Sequence, residues 1–222
     1  MKHLIDGIHR FQSGVFGPQR ELFTRLVDGQ EPDALFITCS DSRIAPNLIT
    51  QTQPGDLFII RNAGNIVPSW GVPSGEAATI EYAVEALGVR DIILCGHTHC
   101  GAMKAVVHPE TARGLPAVEQ WLHHCEGTRR LLKGAYAHVT GDDLIETAVE
   151  ENVLVQIEHL RTHPSVLAGL AAGKLTLHAW VYDIENGQVH AFDPEKGQYV
   201  PVAEAGHGAQ QDRGRLGARR QI

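Results

Sequence analysis

Three short apolar runs constrain the fold of this chain more than any other feature. They are Ala34-Leu-Phe-Ile-Thr-Cys39, Leu57-Phe-Ile-Ile60 and Ile92-Ile-Leu-Cys95, and none alternates with polar residues. Strands read this way when a sheet is covered on both faces, as parallel sheets are. Between the second and third runs lies a helical pattern, Glu76 to Leu87, with Ala77, Ile80, Tyr82, Ala83, Val84 and Leu87, and Gly88 follows as its C-terminal cap. Gly101 to Val107, Asp142 to Arg161 and Pro164 to Gly173 read as further helices. Leu175 to Asp183 alternates as a strand, Asn186-Gly187 marks a hairpin turn, and Val189 to Phe192 is the returning strand. Strands alternating with helices predict an α/β fold with a mostly parallel central β-sheet flanked by helices.

The two ends differ from this core. Leu4, Ile5, Ile8, Phe11 and Val15 recur at helical spacing, and Pro18 is expected to open a second helix with Leu22, Phe23, Leu26 and Val27 as its apolar face. Residues 1–33 therefore form an N-terminal helical arm, which must lay its apolar face on its own core or on a partner subunit. Residues 34–202 form the core. From Ala203 the composition shifts to Gly, Ala, Gln and Arg, so residues 203–222 read as a flexible tail.

Bulk properties exclude several classes. Lys and Arg number 19 against 26 Asp and Glu, a net charge of −7, which disfavours nucleic acid as a partner. No apolar run approaches the ~20 residues of a membrane span, and the N-terminus lacks the continuous apolar stretch of a signal peptide. Four cysteines, Cys39, Cys95, Cys100 and Cys125, are too few to staple a chain of 222 residues. A cytoplasmic location is expected, and Cys near His then reads as metal binding or catalysis.

The chemistry concentrates where two of the strands end. The first run closes in Cys39-Ser-Asp-Ser-Arg43 and the third in Cys95-Gly-His-Thr-His-Cys-Gly101. Ligand sites in open parallel sheets lie at the carboxyl ends of strands. Neighbouring strands would bring Cys39 to His97 and Cys100. Two thiolates and one imidazole suit Zn²⁺, and a fourth tetrahedral position left open turns water there into an acidic nucleophile. Asp41 can orient that water, with Arg43 keeping it ionised, or it can close the site as a fourth ligand.

Together with Arg61-Asn-Ala-Gly-Asn65, these segments resemble the signatures of the β-class carbonic anhydrases, and the resemblance covers roughly residues 1 to 195. Trp121-Leu-His-His-Cys-Glu-Gly-Thr-Arg-Arg130 is similar to the bacterial and cyanobacterial group, carboxysomal members included. The resemblance implies zinc on Cys39, His97 and Cys100, with Asp41 and Arg43 as a catalytic dyad. It implies reversible hydration of CO₂ to bicarbonate. Gln30, Phe58, Ala63, Tyr82 and the Gly101 N–H are implied to contact substrate, beside an apolar wall that includes Ile44. It also implies a homodimer or higher homo-oligomer in which the arm grips the neighbour, so that Gln30, Phe58 and Tyr82 serve the partner's zinc. Phe36 stands where the type closed by Asp carries Trp, which with Gln30 favours the open type. Carboxysome association is compatible with the resemblance, although the long C-terminal extension of some such relatives is missing.

Other residues have plainer readings. His99 lies between two ligands and is either a proton carrier or a locally bonded side chain. Cys95 reads as a buried thiol, Trp180 as core, and Cys125, His159 and His163 as surface. Arg61 is expected to pair with acids near the site or in a structural ion pair. Two rival functions fit the same motifs: hydrolysis of CS₂ or COS on the same scaffold, and a non-catalytic assembly role.

Overall fold

The structure, a computed structural model, describes residues 1–204. The expected tail falls outside the described residues from position 205 onward. Six strands form one sheet: β1 (Ala34–Cys39), β2 (Leu57–Asn62), β3 (Asp91–His97), β4 (Thr176–Asp183), β5 (Gln188–Asp193) and β6 (Gln198–Pro201). Their order is β2-β1-β3-β4-β5-β6. The first four are parallel neighbours, and β5 and β6 add antiparallel to the far edge.

The helices are α1 (Lys2–Arg10), α2 (Arg20–Val27), α3 (Pro46–Thr50), α4 (Gly75–Glu81), α5 (Gly101–Val107), α6 (Pro116–Trp121), α7 (Glu126–Gly134), α8 (Asp142–Arg161) and α9 (Pro164–Ala171). The second arm helix begins at Arg20, two residues past the expected Pro18. β1 is buried throughout, as its apolar run predicts. β2 is only half buried, because it forms an edge of the sheet and lacks a neighbour on one side. β6 and the short helices α3 and α6 have no counterpart in the sequence pattern.

Leu35, Ile37, Ile92, Leu94, Leu177 and Val181 face the main core, into which α8 supplies Val149, Val153 and Ile157. Gly96 allows this close packing: a Cβ there would lie 2.8 Å from Val153 Cγ2. Phe36, Ile93 and Cys95 form a second cluster on the other side of the sheet. Trp180 packs there edge-on to Phe36, half-buried rather than fully in the core. Burial pushes the Cys95 thiol up to about 12, as its expected inert role requires. The arm is different, since neither α1 nor α2 buries a single residue within this chain.

Candidate metal centre

β1 ends at Cys39 and β3 at His97, and the two strands pair side by side. The carboxyl end of the sheet thus receives a thiol and an imidazole. The third donor comes from the turn beyond β3. His99 adopts φ 57°, in the left-handed region, and reverses the chain so that Cys100 becomes the N-cap of α5. Donor atoms of Cys39, His97 and Cys100 lie within 4.8 Å of one another, and all three residues are buried.

The surroundings fix the state of each donor. His97 Nδ1 lies 2.8 Å from the Thr98 carbonyl oxygen. A carbonyl only accepts, so Nδ1 carries the proton and Nε2 presents its lone pair. That Nε2 is buried with no hydrogen-bond partner, which is costly unless something electrophilic meets it. A hydrogen bond from Cys100 holds the Cys39 thiol down to about 4, and the same bond and burial push Cys100 up. The Gly64 N–H adds a donor to Cys39 Sγ at 3.3 Å. A buried lone pair beside two thiols is the donor set of a soft divalent metal site.

Asp41 sits next to this cluster without joining it. Arg43 Nε donates to Oδ1 at 2.9 Å and Nη2 to Oδ2 at 2.7 Å. These bonds, with the Arg43 backbone N–H at 3.0 Å, hold the carboxyl well below the usual carboxylate range. Oδ2 lies 3.9 Å from His97 Nε2. Arg43 Nη2 also reaches the His99 carbonyl at 3.1 Å, tying the pair to the ligand turn.

The sequence model of the family described as Carbonic anhydrase matches residues 34–189, which include all three donors. A solved structure of the beta-carbonic anhydrase CcaA superposes with a TM-score of 0.89 at 50% identity, covering 90% of this chain and 98% of that one. The chain belongs to the β-class carbonic anhydrases. This carbonic anhydrase is also 51% identical over 195 residues to the carbonic anhydrase of Synechocystis sp., spanning 87% of this chain and 71% of the relative. It resembles the tetrameric beta-carbonic anhydrases of Sordaria macrospora at 28% identity and a TM-score of 0.79, covering 90% of this chain and 98% of that chain. The enzyme catalyses the reversible hydration of CO₂ to bicarbonate and a proton. No helix of the described residues is long and apolar enough to cross a membrane.

The remaining expected site residues separate into two groups. Ala63 and Gly101 adjoin the cluster, through Gly64 and Cys100 respectively. Phe58 and Tyr82 pack together with ring centres 6.0 Å apart, but elsewhere. Phe58 pairs with Leu35 whereas Asn62 pairs with Cys39, so Phe58 lies four residues, roughly 13 Å, down the strand from the metal end. Gln30 lines a cleft of about 450 Å³ between α2 and the Pro54–Asp56 turn, and none of Cys39, His97 and Cys100 stands on its walls.

Several expectations require correction. Cys125 is fully buried, not on the surface, because the turn that carries it packs into the core, and burial pushes its thiol up to about 12. His163 is 1% exposed, its Nε2 donating to the Pro68 carbonyl at 3.0 Å. His159 is half-buried and bonds the Val67 carbonyl at 2.8 Å. Among the described residues, Arg61 pairs with no acid side chain. It donates instead to the carbonyl oxygens of Cys39 at 3.1 Å and Asp41 at 2.7 Å, bracing the loop that carries the Asp41–Arg43 pair. The His99 ring meets Glu185 Oε1 at 3.0 Å, and its backbone N–H donates to Glu146 at 2.9 Å, which is the local bonding alternative. Sequence reasoning also missed the bracing roles of Trp121 and Asn152, whose partners lie far along the chain.

Proposed function

We propose that the metal is zinc, held by Cys39, His97 and Cys100, and that Asp41 and Arg43 form the catalytic pair for CO₂ hydration. The bidentate Asp41–Arg43 pair beside a three-donor cluster carries this reading. Both carboxylate oxygens are engaged by Arg43, so Cys39, His97 and Cys100 would hold the metal without Asp41 as a ligand. Zinc, when bound, supplies the Lewis acidity that makes a water there acidic near neutral pH. Asp41, kept ionised by Arg43, can only accept a hydrogen bond, so it takes the water's proton-bearing side and aims a lone pair at substrate. Ala63 and the Gly101 N–H border the substrate from the same chain.

Gln30, Phe58 and Tyr82 serve the metal centre of a second copy, completing its apolar pocket. The ~13 Å that separates Phe58 from its own metal end supports this division. So does the arm, residues 1–33, whose Leu4, Ile5 and Ile8 are exposed and seek a surface beyond the core of residues 34–202. The tetrameric relatives support a homo-oligomer. All four cysteines are free thiols, which supports the cytoplasm as its compartment.

Asp41→Asn is expected to keep its zinc and to lose CO₂ hydration by about 10²-fold or more in stopped-flow assays. Cys39→Ser is expected to lose zinc, measured by elemental analysis, together with activity. Undiminished turnover in the first variant overturns the dyad, and undiminished zinc in the second overturns the ligand set.

A further inference from the structure

The loop after β2 reaches the metal centre through its backbone. The Gly64 N–H that donates to Cys39 Sγ belongs to the same amide as the Ala63 carbonyl. Trp121 Nε1 donates to that carbonyl at 2.9 Å. The indole and the sulfur therefore sit at opposite ends of one peptide group. The next carbonyl is pinned as well, since Asn152 Nδ2 donates to Gly64 O at 3.2 Å. Asn152 cannot turn away, because Thr128 Oγ1 and Gln156 Nε2 each donate to its oxygen at 3.1 Å. Asn152, Thr128 and Gln156 are all completely buried. Gly64 adopts φ +83°, and a Cβ there would lie 2.8 Å from Ala102 Cβ, so the amide reaches the sulfur only because residue 64 has no side chain.

We propose that Trp121, together with Asn152, is a positioning residue of the metal centre: it fixes the Ala63–Gly64 amide as the hydrogen-bond donor to the Cys39 sulfur. The inference rests on the reading of Cys39 as a metal ligand. A donor to an anionic sulfur makes a charge-assisted bond and withdraws electron density from it. Donation to the far carbonyl polarises the amide and strengthens its N–H. Two thiolates push much charge onto a divalent metal, and this amide moderates one of them. Trp121 is well placed for the task, since its ring also packs edge-on against His124, with ring centres 5.3 Å apart. Outer partners of this kind set the orientation and basicity of metal ligands.

The test is the sulfur-to-cobalt charge-transfer absorption of the full-length protein loaded with Co²⁺ in place of zinc. Trp121→Phe, which keeps the ring and removes the N–H, should move this band to longer wavelength. Cobalt stoichiometry and far-ultraviolet circular dichroism should stay at wild-type values. Asn152→Ser should move the band in the same direction. Trp70→Phe, at a half-exposed tryptophan outside the network, should leave it in place. A band at the wild-type position in Trp121→Phe overturns the proposal. If Trp121→Phe does not fold, Asn152→Ser decides alone, and an unmoved band there overturns it equally. A wild-type band in Cys39→Ser would instead sink the ligand assignment on which the proposal rests.

Discussion

Thr98 places no side chain at the metal centre, yet its carbonyl decides which nitrogen of His97 is free to bind. The same logic operates at His163, where the Pro68 carbonyl requires a proton on Nε2 and the ring is enclosed. Burial holds the His163 pKa below 6.5, with nearby His159 adding to the depression. The unfolded chain then takes up a proton on this ring at higher pH than the folded one. The stability that His163 contributes is therefore complete above about pH 6.5 and declines as pH falls from there toward the folded value. His163→Asn should flatten this decline, read as the urea midpoint at pH 7.5 against pH 5.5. Residues such as Cys39, Asp41, Arg43, His97 and Cys100 are legible in the sequence because their chemistry is packed into two short segments at strand ends. His163 and Cys125 are not, because what encloses them is distant in sequence: Pro68 lies 95 residues from His163. Helical spacing alone said nothing of which face was covered.

At the scale of elements, α8 is the brace of the metal centre. Glu146 accepts from the His99 N–H on the ligand turn, Asn152 donates to Gly64 O, and Gln156 accepts from the Val67 N–H at 2.9 Å. One helix thus holds both loops that bear on the metal donors. Its approach to β3 depends on Gly96, the residue before His97. Gly96→Ala should cost about 1–3 kcal/mol of stability through overpacking against Val153. Because the strain falls on the ligand strand, the same variant should also release zinc faster to a chelator than the wild type does. α8 itself is readable from sequence, Asp142 to Arg161, since twenty residues of apolar and polar patterning outweigh local noise. α6 and β6 escape such reading: runs of 6 and 4 residues offer too few turns or alternations to show a period. The antiparallel addition of β5 is read from Asn186-Gly187, because a two-residue turn carries its own geometry.

For the whole molecule, the proposed sharing of each site between two copies makes a prediction that no single chain can satisfy. Cys39→Ser and Gln30→Ala should each be nearly inactive alone. Refolded together in equal amounts, about half of the dimers become hybrids with one intact site, so about a quarter of wild-type activity should return. No recovery on mixing would place Gln30 in its own chain's site. The α1 helix, which buries none of its residues in its own chain, has a consequence of a different kind. An apolar stripe without a seat is a debt settled only by meeting another copy, so the rate per chain becomes a function of how many chains are present. Serial dilution should then lower specific activity well before any subunit unfolds, and a cell making little of this protein would hold less catalysis per molecule than one making much.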